Sequence, residues 1–108
     1  MPVVVNKYLI GKRFAGIALW PFIVVKNDRL KDDKAFINHE KIHLRQQIEL
    51  LILPFYFFYI VEYFVRLLQY KNSQDAYRNI SFEREAYERE EELMYLTHRK
   101  LWSFIKYL

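Results

Sequence analysis

The chain has 108 residues, the length of one domain, and 53% of them are apolar, enough to bury a core without covalent staples. It has no cysteine, which excludes disulfides and thiolate metal sites and leaves His and carboxylates to hold any transition metal. Seventeen Lys and Arg against thirteen Asp and Glu give a net charge of +4, yet the bases are scattered without a continuous stripe, so no nucleic-acid partner is expected.

Val3 to Lys26 is rich in β-branched and aromatic residues punctuated by Gly11 and Gly16, which predicts two or three short antiparallel strands. Ile17 to Val25 is the clearest of them. Met1 to Lys12 lacks the basic-then-apolar layout of a secretory signal, and a cytoplasmic protein is expected. The polar stretch Asn27 to Asp33 offers Asp32 and Asp33 as alternative N-caps for a long helix starting near Lys34. Pro54 should end or kink that helix near Leu53.

A second helical stretch follows from about Phe55 to Tyr70 and carries much of the 19% aromatic content. Its longest uncharged run, Leu50 to Val61, has 12 residues and is interrupted by Pro54, more typical of a buried helix or an interfacial segment than of a bilayer span. A span becomes the lesser alternative if the run is counted on through Glu62 and Arg66 to Leu68. Beyond it Glu62 and Arg66 stand at i,i+4 and should pair. The stretch reads first as domain core. The alternatives are a peripheral membrane contact, suited by Arg66 and Lys71 at its edge, or a homo-oligomer contact through 55–70. Lys71 to Asn79 reads as a loop with at most one helical turn, and a third helix is expected from Ser81 to about Thr97. Lys100 to Leu108 continues it or forms a separate short helix. The expected fold class is α+β, with small N-terminal antiparallel strands followed by three or four helices in a single domain over 1–108.

Chemistry enters at Asn38-His39-Glu40-Lys41-Ile42-His43, which contains H-E-x-x-H. Residues four apart lie one turn apart on the same side of a helix, so both imidazoles can reach one zinc ion while Glu40 points to the neighbouring edge. At about 100° per residue, Phe36, His39, Glu40, His43, Gln47, Leu50 and Leu51 share one arc, with Lys34, Lys41, Arg45 and Glu49 opposite. Two His leave a tetrahedral site one protein ligand short. A third His, Asp or Glu must complete it; Gln46 and Gln47 follow the motif and no further His occurs before His98, which turns attention to the acidic third helix. On the third helix Phe82, Ala86, Leu93, Met94 and Leu96 share a face, and among its acids only Glu83 and Glu90 fall within that arc. Glu85, Glu88, Glu91 and Glu92 lie at its edge or outside. A carboxylate aimed at a core is costly unless paired or metal-bound, so Glu83 is the expected third ligand and Glu90 the second candidate. Alternatively, Glu83 only complements the dipole of the helix's first turn.

The blocks His39-Glu40-Lys41-Ile42-His43-Leu44-Arg45-Gln46 and Asn79-Ile80-Ser81-Phe82-Glu83-Arg84-Glu85-Ala86 together resemble a gluzincin metallopeptidase reduced to minimal size, and are similar to small bacterial zincin-like proteins. The resemblance implies His39, His43 and Glu83 as zinc ligands, Glu40 as catalytic acid/base, and a strand before the long helix, here Ile17 to Val25, bordering the substrate cleft. Many gluzincins carry an Asp four residues after the ligand Glu, as partner to a ligand histidine, where this chain has Tyr87. Its hydroxyl could serve an imidazole or an oxyanion, or its ring could simply pack. The expected function is a zinc-dependent metallopeptidase acting on a peptide or protein substrate, with Glu40 as general base. The alternative is a non-catalytic, zinc-stabilised helical module that binds a protein partner or a membrane surface.

Overall fold

A computed structural model of the chain describes residues 3–6 and 15–108; Gly11 and most of Met1 to Lys12 lie outside the described residues. Among the described residues three short strands, β1 (Val3–Val5), β2 (Gly16–Leu19) and β3 (Phe22–Val25), form one sheet in the order β1-β3-β2. β2 and β3 are antiparallel, with Leu19 opposite Phe22. Pro21 has no N–H to give to a ladder, so Ile17 to Val25 is a hairpin of two strands rather than one strand. The hairpin inserts β3 between the two earlier strands, and β3 therefore runs parallel to β1, with Val3 opposite Ile23. The sheet is thus mixed where antiparallel pairing alone was expected.

Helix α1 (Lys34–Glu49) starts at Asp33, whose side chain accepts the Phe36 N–H at 3.0 Å, satisfying one of the unpaired donors of the first turn. It is buried on nearly every side. Leu44 packs against Ala18, Ile23 and Val25 of the sheet, while Ile42 packs against Ala86 and Tyr95 on the other flank. This central placement is what brings the H-E-x-x-H residues inside the molecule.

The chain then turns sharply through Leu51 (φ 60) and Ile52 (φ 70), both in the left-handed region that side chains disfavour. Helix α2 (Leu53–Tyr70) leaves at 112° to α1, with Pro54 in its first turn, where the missing N–H removes no helical hydrogen bond. Leu51, placed on the inward arc of α1 by periodicity, is instead 80% exposed, because the helix ends at Glu49, two residues before it. Within α2 only Phe55 is buried, packing with Ile80, Phe82 and Phe104, so the core reading of 55–70 holds for one side alone. Among the described residues no single helix is long and apolar enough to cross a membrane.

A short helix α3 (Ser73–Arg78), capped by the Asn72 side chain accepting the Asp75 N–H at 3.0 Å, occupies the expected loop. Helix α4 (Ser81–Arg89) follows, then the one-turn α5 (Tyr95–His98) and a 3₁₀ turn over Ser103–Tyr107. The third helix therefore ends eight residues before Thr97. The cause is Asn38, whose Nδ2 donates to the carbonyls of Arg89, Glu90 and Glu92 at 3.3, 3.0 and 3.0 Å and takes over acceptors that α4 would otherwise leave open. At the other end of α4, Glu62 of α2 accepts the Ser81 hydroxyl at 2.6 Å as well as its N–H, and meets Arg66 at 3.4 Å as the i,i+4 spacing implied. The α+β class, strands first and helices after, stands.

Candidate metal centre

His39 and His43 lie one turn apart on α1, and Glu83 sits in the first turn of α4, facing them. The three donor atoms converge. His39 Nε2 is 3.1 Å from His43 Nε2, and Glu83 Oε1 is 3.2 and 3.1 Å from the two nitrogens. All three residues are buried, Glu83 to 3% exposure, and together they form a group that can hold a metal ion. Glu83 thus does more than complement the dipole of its own helix.

The protonation pattern follows from the partners behind the rings. Gln46 Nε2 donates to the Phe82 carbonyl and to Glu85 Oε1, at 3.1 and 2.9 Å, so its Oε1 must be the atom facing His43. His43 Nδ1, 2.8 Å from that oxygen, is then the donor and carries the proton. Likewise His39 Nδ1 lies 2.9 Å from Glu90 Oε1, a carboxylate that can only accept. Both Nε2 atoms consequently turn a lone pair toward each other and toward Glu83. Three acceptors at this spacing require a cation between them, whether protons or a metal. A tetrahedral zinc with bonds of roughly 2.0–2.1 Å sets its donor atoms about 3.3 Å apart, close to the separations found here.

Without a metal, burial of His43 disfavours its charge, but Glu83, acting through charge and hydrogen bond, outweighs burial and pushes the imidazole up to about 9. Burial likewise opposes ionisation of Glu83, and His43 and His39 reverse this and hold its carboxyl well below the usual range. Its second oxygen accepts the Tyr59 hydroxyl at 2.6 Å, a bond brought in by α2. Glu40 is buried beside the group, and burial raises its carboxyl despite the opposing effect of His43 and His39. Among the described residues its carboxylate is committed to no hydrogen bond.

Two cavities meet at this point. A cleft of about 650 Å³ is lined by Phe36, His39, Glu40, Tyr87 and Glu90, and a more apolar recess of about 210 Å³ by Ile17, Phe55, His43 and Glu83. Gly16, Glu40, Tyr59 and Tyr77 line both. Of the Ile17 to Val25 segment, β2 reaches these cavities and β3 does not. A Cβ on Gly16 would come within 2.5 Å of the Phe36 ring, so only glycine leaves this corner of the cleft open.

Glu90, the second candidate ligand, lies outside the converging group and takes the histidine-orienting role expected of the absent Asp, one turn beyond Tyr87. The Tyr87 ring stands edge-on to His39 at 4.5 Å between centroids, and its hydroxyl meets that of Tyr77 at 3.5 Å, so it packs against the imidazole rather than bonding to it. Periodicity missed Glu85 altogether. It is fully buried, accepts from Tyr95, Gln46 and Arg99, and anchors the amide that orients His43. Arg99 also binds Glu49, on the side of α1 opposite the histidines.

No protein-family model, no curated protein and no solved structure matches the chain. The site is therefore read from its own geometry.

Proposed function

We propose that the chain is a minimal, gluzincin-like zinc metallopeptidase that hydrolyses peptide bonds, with Glu40 as general base. The observation that carries this reading is the convergence of three lone pairs from His39, on the wall of the open cleft, and from His43 and Glu83, on the wall of the adjoining recess, with Glu40 lining both and free of any hydrogen bond among the described residues. Two imidazoles and a carboxylate are a donor set that suits zinc and leaves one coordination position for chemistry. A zinc ion held there supplies Lewis acidity, which acidifies water and polarises a carbonyl.

The protein's own groups supply the remainder. Glu40 accepts a proton from the attacking water as its oxygen bonds to the carbonyl carbon, then delivers that proton to the leaving nitrogen as the C–N bond breaks. Its raised carboxyl suits both halves of that exchange. Burial pushes the Tyr77 phenol far up, so it stays protonated on the wall shared by the cleft and the recess. Gly16, the first residue of β2, which is an edge strand among the described residues, lines the same cleft and offers its backbone to an extended substrate.

The test is zinc content by mass spectrometry together with cleavage of a quenched fluorescent peptide library. Wild type should hold one zinc per chain and cleave. Glu40→Gln should keep the zinc and lose roughly 10²–10⁴-fold in rate. Unchanged cleavage by Glu40→Gln, or equal and tight zinc in Glu83→Ala, overturns the reading. A zinc-loaded wild type that cleaves nothing favours the non-catalytic module instead.

A further inference from the structure

Helix α2 is inverted relative to a helix on a water-facing surface. Its two charged residues, Glu62 and Arg66, point inward and pair with each other, and Glu62 also holds Ser81. The outward side carries Leu53, Phe57, Val61, Phe64 and Leu68 down its centre, with Leu53 77% and Leu68 81% exposed. At 100° per residue the exposed apolar positions span an arc of roughly 160°, along a helix about 27 Å long. They present on the order of 1,000 Å² of apolar surface, against roughly 300–600 Å² for the largest patch on an ordinary monomer.

From this we infer that the outer face of α2 rests in the headgroup–acyl boundary of an anionic phospholipid bilayer, with the helix lying in the membrane plane. Two observations favour lipid over a second copy of the chain. First, the arc is broader than the narrow seam along which two helices interdigitate, and polar groups that could fix a partner's register are nearly absent from it. Second, the flanks are cationic. Lys71 closes the C-terminal end of α2, and exposed Lys100 and Lys106 alternate with exposed Leu101, Trp102 and Ile105. That segment is held beside the elbow before α2 by the Trp102 indole N–H, which donates to the Glu49 carbonyl at 3.4 Å. Apolar residues rimmed by lysines and an indole are what an anionic headgroup layer accepts.

The inference stands apart from the proposed hydrolysis, because none of these residues touches the converging donors. It is tested by flotation of the full chain with vesicles of phosphatidylcholine alone or mixed equally with phosphatidylglycerol. Wild type should float with the mixed vesicles. Phe57→Glu combined with Phe64→Glu should weaken partitioning at least about 100-fold while leaving zinc content and circular dichroism unchanged, since both rings are exposed. Lys100→Gln combined with Lys106→Gln should weaken it about tenfold and reduce its salt dependence. Should the Glu pair fail to fold, Trp20→Phe supplies the second measurement, with brominated lipid expected to quench the remaining indole, Trp102. Absence of flotation, equal flotation of the Glu pair, lack of quenching, or a lipid-free dimer that the Glu pair splits without any vesicle binding would overturn it.

Discussion

His43 Nδ1 donates to Gln46 Oε1 across 2.8 Å, and the other end of the same amide donates to Glu85 at 2.9 Å. A side chain three residues along the same helix thus fixes the tautomer of an imidazole in the group that can hold a metal ion, and a carboxylate from α4 fixes that side chain. Outer partners of this kind are typically worth 10–100-fold in metal affinity. Gln46→Leu should weaken zinc binding by about that factor, measured by competition with a chromogenic chelator. Glu90→Ala should cost less, nearer tenfold, because its side chain is 26% exposed and water can replace the carboxylate behind His39.

The Glu85–Arg99 pair gives stability a defined response to acid. Burial opposes ionisation of Glu85, but hydrogen bonds from Arg99, Tyr95 and Gln46 prevail and lower its carboxyl below the ordinary value near 4.5. A carboxyl depressed in the folded state contributes stability that is complete above its unfolded value and is lost as pH falls through the folded one. Arg99→Met should destabilise the protein by about 3–5 kcal/mol at neutral pH, since it leaves two buried carboxylates, Glu85 and Glu49, without their shared cation. Urea unfolding at a series of pH values should show that difference shrinking below pH 4.5. A constant gap down to strong acid would show that the pair is not what the arginine supports.

Asn38 is expected to matter out of proportion to its size. Asn38→Ala removes the two N–H donors that reach three carbonyls of the turn after α4 and should cost about 1–3 kcal/mol in urea unfolding, the penalty of leaving part-buried carbonyls with fewer partners. The same turn carries Glu90, so zinc affinity should fall with it, by less than for Gln46→Leu.

Leu51→Gly should act in the opposite direction. The residue is 80% exposed and sits at φ 60, so glycine removes backbone strain at little loss of packing. A gain of roughly 0.5–1 kcal/mol is expected, read as a higher Tm.

Periodicity located the two histidines, Glu40 and Glu83 because helical spacing is local and the donors lie on two regular segments. Strands before helices were legible too, and the cap of α1 was narrowed to Asp32 or Asp33, of which Asp33 is the one that caps. What it missed depends on contacts between distant parts of the chain. The early end of α4 is imposed by Asn38, 51 residues upstream of Arg89, which no local pattern encodes. Burial of Glu85 depends on Arg99, 14 residues further on and beyond the helix itself. The parallel β1–β3 pairing follows from which strand the hairpin inserts between the others, and alternation of residue types is the same for either direction. The segment 55–70 has the composition of a core helix, and composition alone did not show that most of its apolar side chains face outward.

Three lone pairs aimed at one point have a thermodynamic consequence for the whole fold. The unfolded chain scatters His39, His43 and Glu83 and binds a divalent ion far more weakly, so an ion captured by the native state shifts the folding equilibrium by mass action. At a free concentration a hundred times the dissociation constant that shift is about 2.7 kcal/mol. Chelation should then lower the melting temperature, and this small domain would be most vulnerable to degradation where metal is scarce.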